Sequence, residues 1–126
     1  PLRATMVTEL DLFVVHVDNT IKEAVSVISA NYSRCAIITA RNLKVIGVVS
    51  EGDILRSLLE DTSLYAPIGK IARPSFRYLH KADMVQAAKM LRSIGVTLIP
   101  VVDQNLFLKD VITVHHVLDY LGAPTE

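Results

Sequence analysis

The chain has 126 residues, of which 51% are hydrophobic and 21% are charged, and its 13 basic residues balance its 13 acidic ones. This length predicts one ordinary domain, and the zero net charge gives no basic surface for nucleic acid or anionic lipid. Every apolar run falls short of the roughly 18 residues that span a bilayer, so we expect no membrane insertion. The single cysteine, Cys35, lies in an apolar run, which predicts a buried thiol in the reducing cytoplasm.

The first half of the chain predicts alternating strands and helices. Phe13–Val17 is a short β-rich run, and Thr20 and Glu23 have the spacing of a capping box at the start of a helix that ends near Asn31. The further elements predicted in this half are a buried strand at 35–39, a turn at 40–43, a strand at 44–49 and a helix from Ser50 to about 60.

The second half predicts the same order of elements after a polar connector at 61–67. Arg77–Leu79 is a short β-rich run, Asp83 has an N-cap position before a second amphipathic helix, and Gly95 is placed to end that helix as a C-cap. The further elements predicted in this half are strands at 97–102 and 106–112 and a helix at 114–121.

The two halves are related by a constant offset of 63 positions. Gly47–Leu55 aligns with Asp110–Leu118, and Thr20–Ala24 aligns with Asp83–Ala87. Such an internal repeat predicts two copies of one supersecondary unit that stack on each other. Since each half predicts both strands and helices, we expect a mixed α/β (α+β) fold of two β-α-β-β-α repeats, residues 1–62 and 63–126. Because about 60 residues are marginal for burying a core alone, the two repeats would pack on each other as a pseudo-twofold pair.

Ser50 and Asp53 lie where a predicted strand ends and a helix begins. The first turn of a helix offers unpaired backbone N–H groups and a positive dipole end, which favour an anion. A hydroxyl there can donate to a phosphate or ribose oxygen, and a carboxylate one turn later can accept from both hydroxyls of a ribose. The same spacing is also typical of a capping box, so a purely structural role stays open.

These motifs together resemble a known family. Over Thr8–Leu121 the chain is similar to a tandem pair of cystathionine-β-synthase (CBS) domains, a Bateman module, through Gly47–Leu55 and the middle-strand motif Leu98–Asp103. The resemblance implies a non-enzymatic regulatory module that binds AMP, ADP, ATP or S-adenosylmethionine and requires no cofactor. It implies that Asp53 holds the ribose and that Ser50 seats ribose or phosphate. It also places the adenine near Val15, Ala36 and Ile37.

The second repeat departs from this pattern. Thr113 keeps the hydroxyl of Ser50, but His116 replaces the carboxylate of Asp53, and Asp110 replaces Gly47. A neutral imidazole cannot accept from two ribose hydroxyls, and Asp110 adds negative charge where a phosphate would approach. We therefore expect one strong and one weak site. His116 is interpreted either as a phosphate neighbour in the opposite cleft or as a packed core histidine.

The remaining polar residues predict no catalytic or metal site. The sequence has no Gly-rich phosphate loop and no nucleophile or zinc motif. His115 and His116 are adjacent on a helix and have no Cys or Glu at i+3 or i+4 to complete a ligand set. Arg34, just before the strand at 35–39, is either a phosphate contact or a solvated charge.

A second interpretation is a ligand-free interaction module, in which Ser50 and Asp53 are helix caps only. The closing helices of the two repeats would then dimerise or dock an effector enzyme or transporter. Their apolar faces carry Ile54, Leu55, Leu58, Leu59, Val117, Leu118 and Leu121. The mean hydropathy of +0.39 is high for a soluble monomer, so we expect a homodimer under either interpretation.

Overall fold

The fold has the mixed α/β order that the repeat predicts. The computed structural model of the chain describes residues 10–94 and 96–122. In the first repeat these form β1 (Val14–His16), α1 (Ile21–Asn31), β2 (Cys35–Thr39), β3 (Val45–Ser50) and α2 (Glu51–Leu59). In the second they form α3 (Met84–Ile94), β4 (Leu98–Val102), β5 (Leu108–Thr113) and α4 (Val114–Gly122). Short 3-10 turns lie at Leu10–Leu12, Arg41–Leu43 and Ile68–Lys70.

Side-chain caps explain where the helices begin. Thr20 and Glu23 close the predicted capping box at the start of α1. At the start of α3, Oδ1 of Asp83 accepts a hydrogen bond from the backbone N–H of Gln86 at 3.0 Å. Such caps satisfy backbone donors that the first helical turn leaves unpaired. The predicted C-cap at Gly95 lies outside the described residues.

The sheet of the first repeat has three strands in the order β1-β2-β3. β1 runs parallel to β2, and β2 runs antiparallel to β3. One face of this sheet packs on α1 and α2 through fully buried side chains, among them Ile21, Ala24 and Ile38. This packing fixes the end of β3, and therefore the start of α2, relative to the rest of the repeat.

The sheet of the second repeat has two strands, β4 and β5, which run antiparallel. The predicted strand at Arg77–Leu79 is wrong, because this segment makes a single parallel bridge, from Leu79 to Val101. In the first repeat the N–H of Ile37 donates to the carbonyl of Phe13 at 2.7 Å. The counterpart of Ile37 is Pro100, which has no N–H, so the same ladder cannot form.

The two repeats pack through counterpart residues. The cluster between them contains the pairs Phe13 and Phe76, Cys35 and Leu98, Val45 and Leu108, and Val48 and Val111. Lys44 forms an antiparallel bridge with Phe107, its own counterpart. A residue that pairs with its own counterpart lies at the pseudo-twofold axis, so the repeats face each other as predicted.

The connector between the repeats belongs to the core of the first. Ile68 is fully buried beside α1, and its N–H donates to the carbonyl of Asn19 at 2.6 Å. Further along, Arg73 and Val48 exchange two backbone hydrogen bonds of 2.9 and 3.1 Å. We therefore propose that the boundary between the repeats lies nearer Pro74 than residue 62.

None of the helices in the described part of the chain is both long and apolar enough to cross a membrane.

Candidate functional site

A cleft of about 490 Å³ opens at the start of α2, between the two repeats. The first repeat contributes Ser50 and Asp53, the connector contributes Arg73 and the residues that follow it, and the second repeat contributes the start of β4. Two counterpart pairs line it together, Arg34 with Thr97 and Cys35 with Leu98. The cleft therefore lies across the pseudo-twofold axis.

Asp53 is the most enclosed charged group of this cleft, with 9% of its surface exposed. The backbone N–H of Ser50 donates to its Oδ2 at 3.0 Å, and Oγ of Ser50 accepts from the backbone N–H of Asp53 at 3.1 Å. Oδ1 accepts from Nε of Arg73 at 2.8 Å and from Nη1 of Arg56 at 3.2 Å. The capping box that the spacing allowed is therefore present, and two arginines add to it.

These contacts keep Asp53 ionised. Burial alone would raise the pKa of its carboxyl group, because a charge is less stable away from water. The hydrogen bonds from Ser50 and Arg56 and the charge of Arg73 outweigh burial, and the pKa lies below its ordinary value. At neutral pH the cleft thus holds a fixed anion.

The rest of the cleft is rich in cations. Arg34, Arg56, Arg73 and Arg77 line it together with two acidic residues, Asp53 and Glu51, which gives a formal charge of +2. Arg34 donates to Glu51 at 3.1 Å, and both side chains are more than half exposed. A positive cleft at the start of a helix attracts anionic ligands.

Three of these arginines were not identified from the sequence. Arg56 lies three residues after Asp53 on the same helix, and this spacing could have indicated it. Arg73 and Arg77 lie in a connector without periodicity, and only the three-dimensional path of that connector brings them to the cleft.

The predicted adenine contacts do not fit the structure. Val15, Ala36 and Ile37 are between 0% and 3% exposed and do not line the cleft. Val15 and Ala36 belong to the core under α1, and Ile37 belongs to the cluster between the repeats. The apolar wall of the cleft is formed instead by Val48, Phe76, Val96, Leu98 and Pro100.

The predicted residues of the second repeat cap a helix. The backbone N–H of His116 donates to Oγ1 of Thr113 at 3.2 Å, and Nδ1 of His116 accepts from the backbone N–H of Thr113 at 3.0 Å. His116 thus has the capping role at α4 that Asp53 has at α2. Neither Thr113 nor His116 is among the residues that line the cleft with Asp53.

Asp110, the other departure in the second repeat, is 7% exposed, and its Oδ1 accepts from the backbone N–H of Val111 at 2.8 Å. This carboxylate lies in β5, where the first repeat has Gly47.

Cys35 lies at the wall of the cleft and is half-buried rather than buried as predicted. Its Sγ lies 3.3 Å from Oγ1 of Thr97, and burial raises the pKa of the thiol. A raised pKa disfavours the thiolate that a nucleophile requires. Within residues 10–94 and 96–122, no three His, Cys, Asp or Glu side chains come close enough to hold a metal ion.

Solved structures with the same fold include complexes with a nucleotide. A CBS domain protein from Pyrobaculum aerophilum, complexed with AMP, is 25% identical, with a TM-score of 0.68 over 91% of this chain and 98% of that one. CBSX2 in complex with AMP is 22% identical, with a TM-score of 0.71 over 88% and 87% of the two chains. A CBS domain pair/ACT domain protein from Thermotoga maritima is 23% identical, with a TM-score of 0.73 over 93% of each chain.

Among curated proteins, a homoserine O-acetyltransferase from Methanobrevibacter ruminantium is 22% identical over 114 residues. The match covers 90% of this chain but spans only 23% of the length of that relative. The family model described as "CBS domain" matches residues 5–60. Residues 5–60 therefore match the CBS domain family, and the whole chain has the fold of a CBS domain pair, as the resemblance predicted.

Proposed function

We propose that this chain is a regulatory module that binds an adenine nucleotide in the cleft at Ser50 and Asp53. The observation that carries the proposal is a buried, ionised carboxylate at the start of a helix, in a cleft that four arginines line. The carboxylate suits the hydroxyls of a ribose, and the arginines together with the N–H groups of α2 suit a phosphate. The AMP complexes of two proteins with this fold support the choice of ligand.

The charge of the cleft ranks the candidate ligands. With a formal charge of +2 the cleft favours AMP, ADP or ATP, whose phosphates are anionic. S-adenosylmethionine carries a cationic sulfonium next to the ribose and lacks a phosphate, so we place it last. The apolar residues Phe76, Val48 and Leu98 offer a wall on which an adenine ring can pack.

The ligand-free interaction module is the second candidate, and one observation favours it. Ser50, Arg56 and Arg73 already engage Asp53, so the carboxylate has a complete structural role without a ligand. In that case the arginines stabilise the start of α2, and the cleft is a consequence of how the repeats meet.

We further propose that the module is not itself an enzyme and that it controls an effector enzyme or transporter. A ligand held between two repeats can shift their relative orientation, and an attached partner can respond to that shift. Because adenine nucleotides and a free cysteine are both typical of the cytoplasm, we place the module there. Turnover of any bound nucleotide would contradict the regulatory role.

Calorimetry with AMP, ADP, ATP and S-adenosylmethionine tests the function. We expect one strong site per chain and binding of AMP, ADP or ATP in preference to S-adenosylmethionine. Asp53→Asn is expected to lose roughly 1.5–3 kcal/mol of binding free energy, the value of hydrogen bonds to a charged group. Asp103→Asn, in the turn between β4 and β5 and outside the cleft, is the control and should bind as the wild type does.

Absence of binding by all four ligands would favour the interaction module instead. Two sites of equal affinity would contradict the inequality expected from His116 and Asp110.

A further inference from the structure

The acceptor positions of Asp53 are nearly all used. Oδ1 accepts from Arg73 at 2.8 Å and from Arg56 at 3.2 Å, and Oδ2 accepts from the backbone N–H of Ser50 at 3.0 Å. An ionised carboxylate has about four acceptor positions. A ribose diol brings two further donors, so one of the present donors has to leave before both hydroxyls can bind.

Arg56 and Arg73 are both more than half exposed, and Arg73 is the donor that comes from outside α2. The N–H of Ser50 belongs to the N-cap of α2, and Arg56 lies on the same helix, three residues after Asp53. Arg73 comes from the connector, and its backbone is fixed by its two hydrogen bonds to Val48. Its side chain is 60% exposed and borders the cleft, so it can turn away from Asp53 while its backbone stays in place.

In the absence of a phosphate, the described wall of the cleft has no free anionic partner for a displaced Arg73. Besides Asp53, the acidic residue at the described wall of the cleft is Glu51, which already pairs with Arg34 at 3.1 Å. Water can solvate the exposed guanidinium, so its release is not forbidden. A nucleoside, however, must compete with Arg73 for Asp53, and it has no phosphate with which the displaced guanidinium could pair.

We infer that Arg73 is a specificity-determining residue that makes the cleft select nucleotides over nucleosides. This inference rests on the proposed function. In the ligand-free molecule the guanidinium of Arg73 occupies the carboxylate of Asp53, which is the proposed acceptor for the ribose hydroxyls. When a nucleotide binds, its ribose displaces the guanidinium from Asp53, and its phosphate then pairs with the guanidinium. The side chain of Arg73 thus lowers the affinity for adenosine and raises the affinity for AMP.

Titration calorimetry with AMP and adenosine on four proteins tests this inference. The wild type should bind AMP at least tenfold more tightly than adenosine, about the factor that one charge-assisted hydrogen bond supplies. Arg73→Met keeps the aliphatic stem but removes the donors. This variant should bind AMP more weakly and adenosine more tightly than the wild type does, so that the ratio of the two affinities falls by roughly tenfold.

Arg77→Met is the matched control, because Arg77 lines the same cleft without contacting Asp53. It should weaken AMP without strengthening adenosine. Arg56→Met removes the other arginine on Asp53, and a gain in adenosine binding there rather than in Arg73→Met would overturn the assignment. If the wild type binds AMP but Arg73→Met keeps the wild-type ratio, the inference fails while the proposed function stands. If the wild type binds none of AMP, ADP and ATP, both fail.

Discussion

Asp53 serves the fold and the proposed ligand with the same two oxygens. As a cap it satisfies the N–H of Ser50 and fixes the first turn of α2, and as an anion it holds Arg56 and Arg73 at the wall of the cleft. A capping residue alone contributes about 0.5–2 kcal/mol to stability. Substitutions at Asp53 are therefore expected to reduce stability as well as ligand binding, and both have to be measured.

The pH dependence of stability should show the charge of Asp53 directly. The pKa of its carboxyl is lowered in the folded state, so the unfolded chain binds the proton more readily. Its stabilising contribution is complete above the unfolded pKa, near 3.9, and is lost as the pH falls through the folded pKa. We expect the gap in free energy of unfolding between wild type and Asp53→Asn to be constant at neutral pH and to shrink below about pH 4.

Urea denaturation across this pH range measures that gap. Ser57→Ala is a suitable control, because Oγ of Ser57 donates to the carbonyl of Ile54 in the same helix at 2.8 Å and has no titrating partner there. The difference in free energy of unfolding between Ser57→Ala and the wild type should not change with pH. Parallel curves for wild type and Asp53→Asn would show that the ionised carboxylate does not stabilise the fold.

Among the elements, β3 and the connector meet at a position where only glycine fits. A Cβ built on Gly47 would lie 2.6 Å from the carbonyl oxygen of Arg73, which is backbone and cannot move aside alone. Gly47→Ala should therefore push the connector away from β3 and weaken its two hydrogen bonds between Val48 and Arg73. We expect a loss of about 1–3 kcal/mol, as for other overpacked sites, measured by urea denaturation.

Gly52→Ala is the matched control for this prediction. Gly52 lies in the first turn of α2, and among the described residues its added Cβ would meet only Oγ of Ser50, at 3.7 Å. Alanine is favoured over glycine in a helix, so this variant should be as stable as the wild type or more so. If both variants lose the same stability, the close approach of Arg73 to Gly47 is not the cause.

Local signals predicted the elements better than the site. The capping spacings of Thr20 and Ser50 placed the starts of α1 and α2, because they depend on residues three positions apart. The prediction of a strand at Arg77–Leu79 was wrong because the strand that should pair with it contains Pro100. This residue lies more than 20 positions away in the sequence, so a local pattern does not show its effect. Arg73 was missed for the same reason, since its approach to Asp53 depends on the path of the connector.

At the scale of the whole molecule, the core between the repeats and the cleft both lie at the pseudo-twofold axis. Lys44 and Phe107 pair with each other on this axis, and the cleft lies across it, with Arg34 and Thr97 on its two sides. Oγ1 of Thr97 donates to the carbonyl of Ser33, which ties the start of β4 to the first repeat beside the cleft. The proposed ligand would contact both repeats here, which would allow it to shift their relative orientation.

The closing helices also leave apolar side chains uncovered. Ile54 and Val117 face the core, whereas Leu55 and Leu59 of α2 and Leu118 and Leu121 of α4 are 58% to 76% exposed. One copy of the chain already uses its sheet faces to pack the repeats together. We therefore propose that a second copy covers these leucines in a twofold dimer, the commonest assembly of a soluble chain.

Light scattering on the wild type should then give a mass of twice 13.9 kDa. Burial of a leucine contributes about 1.5–3 kcal/mol, so placing a charge at such a position should weaken the dimer at least tenfold. Leu59→Glu and Leu121→Glu are the variants, and both are expected to shift the mass towards the monomer at micromolar concentration. Val85→Glu, at an exposed apolar position of α3, is the control and should remain dimeric. A wild-type mass near 13.9 kDa would contradict the dimer and leave these leucines for an effector protein.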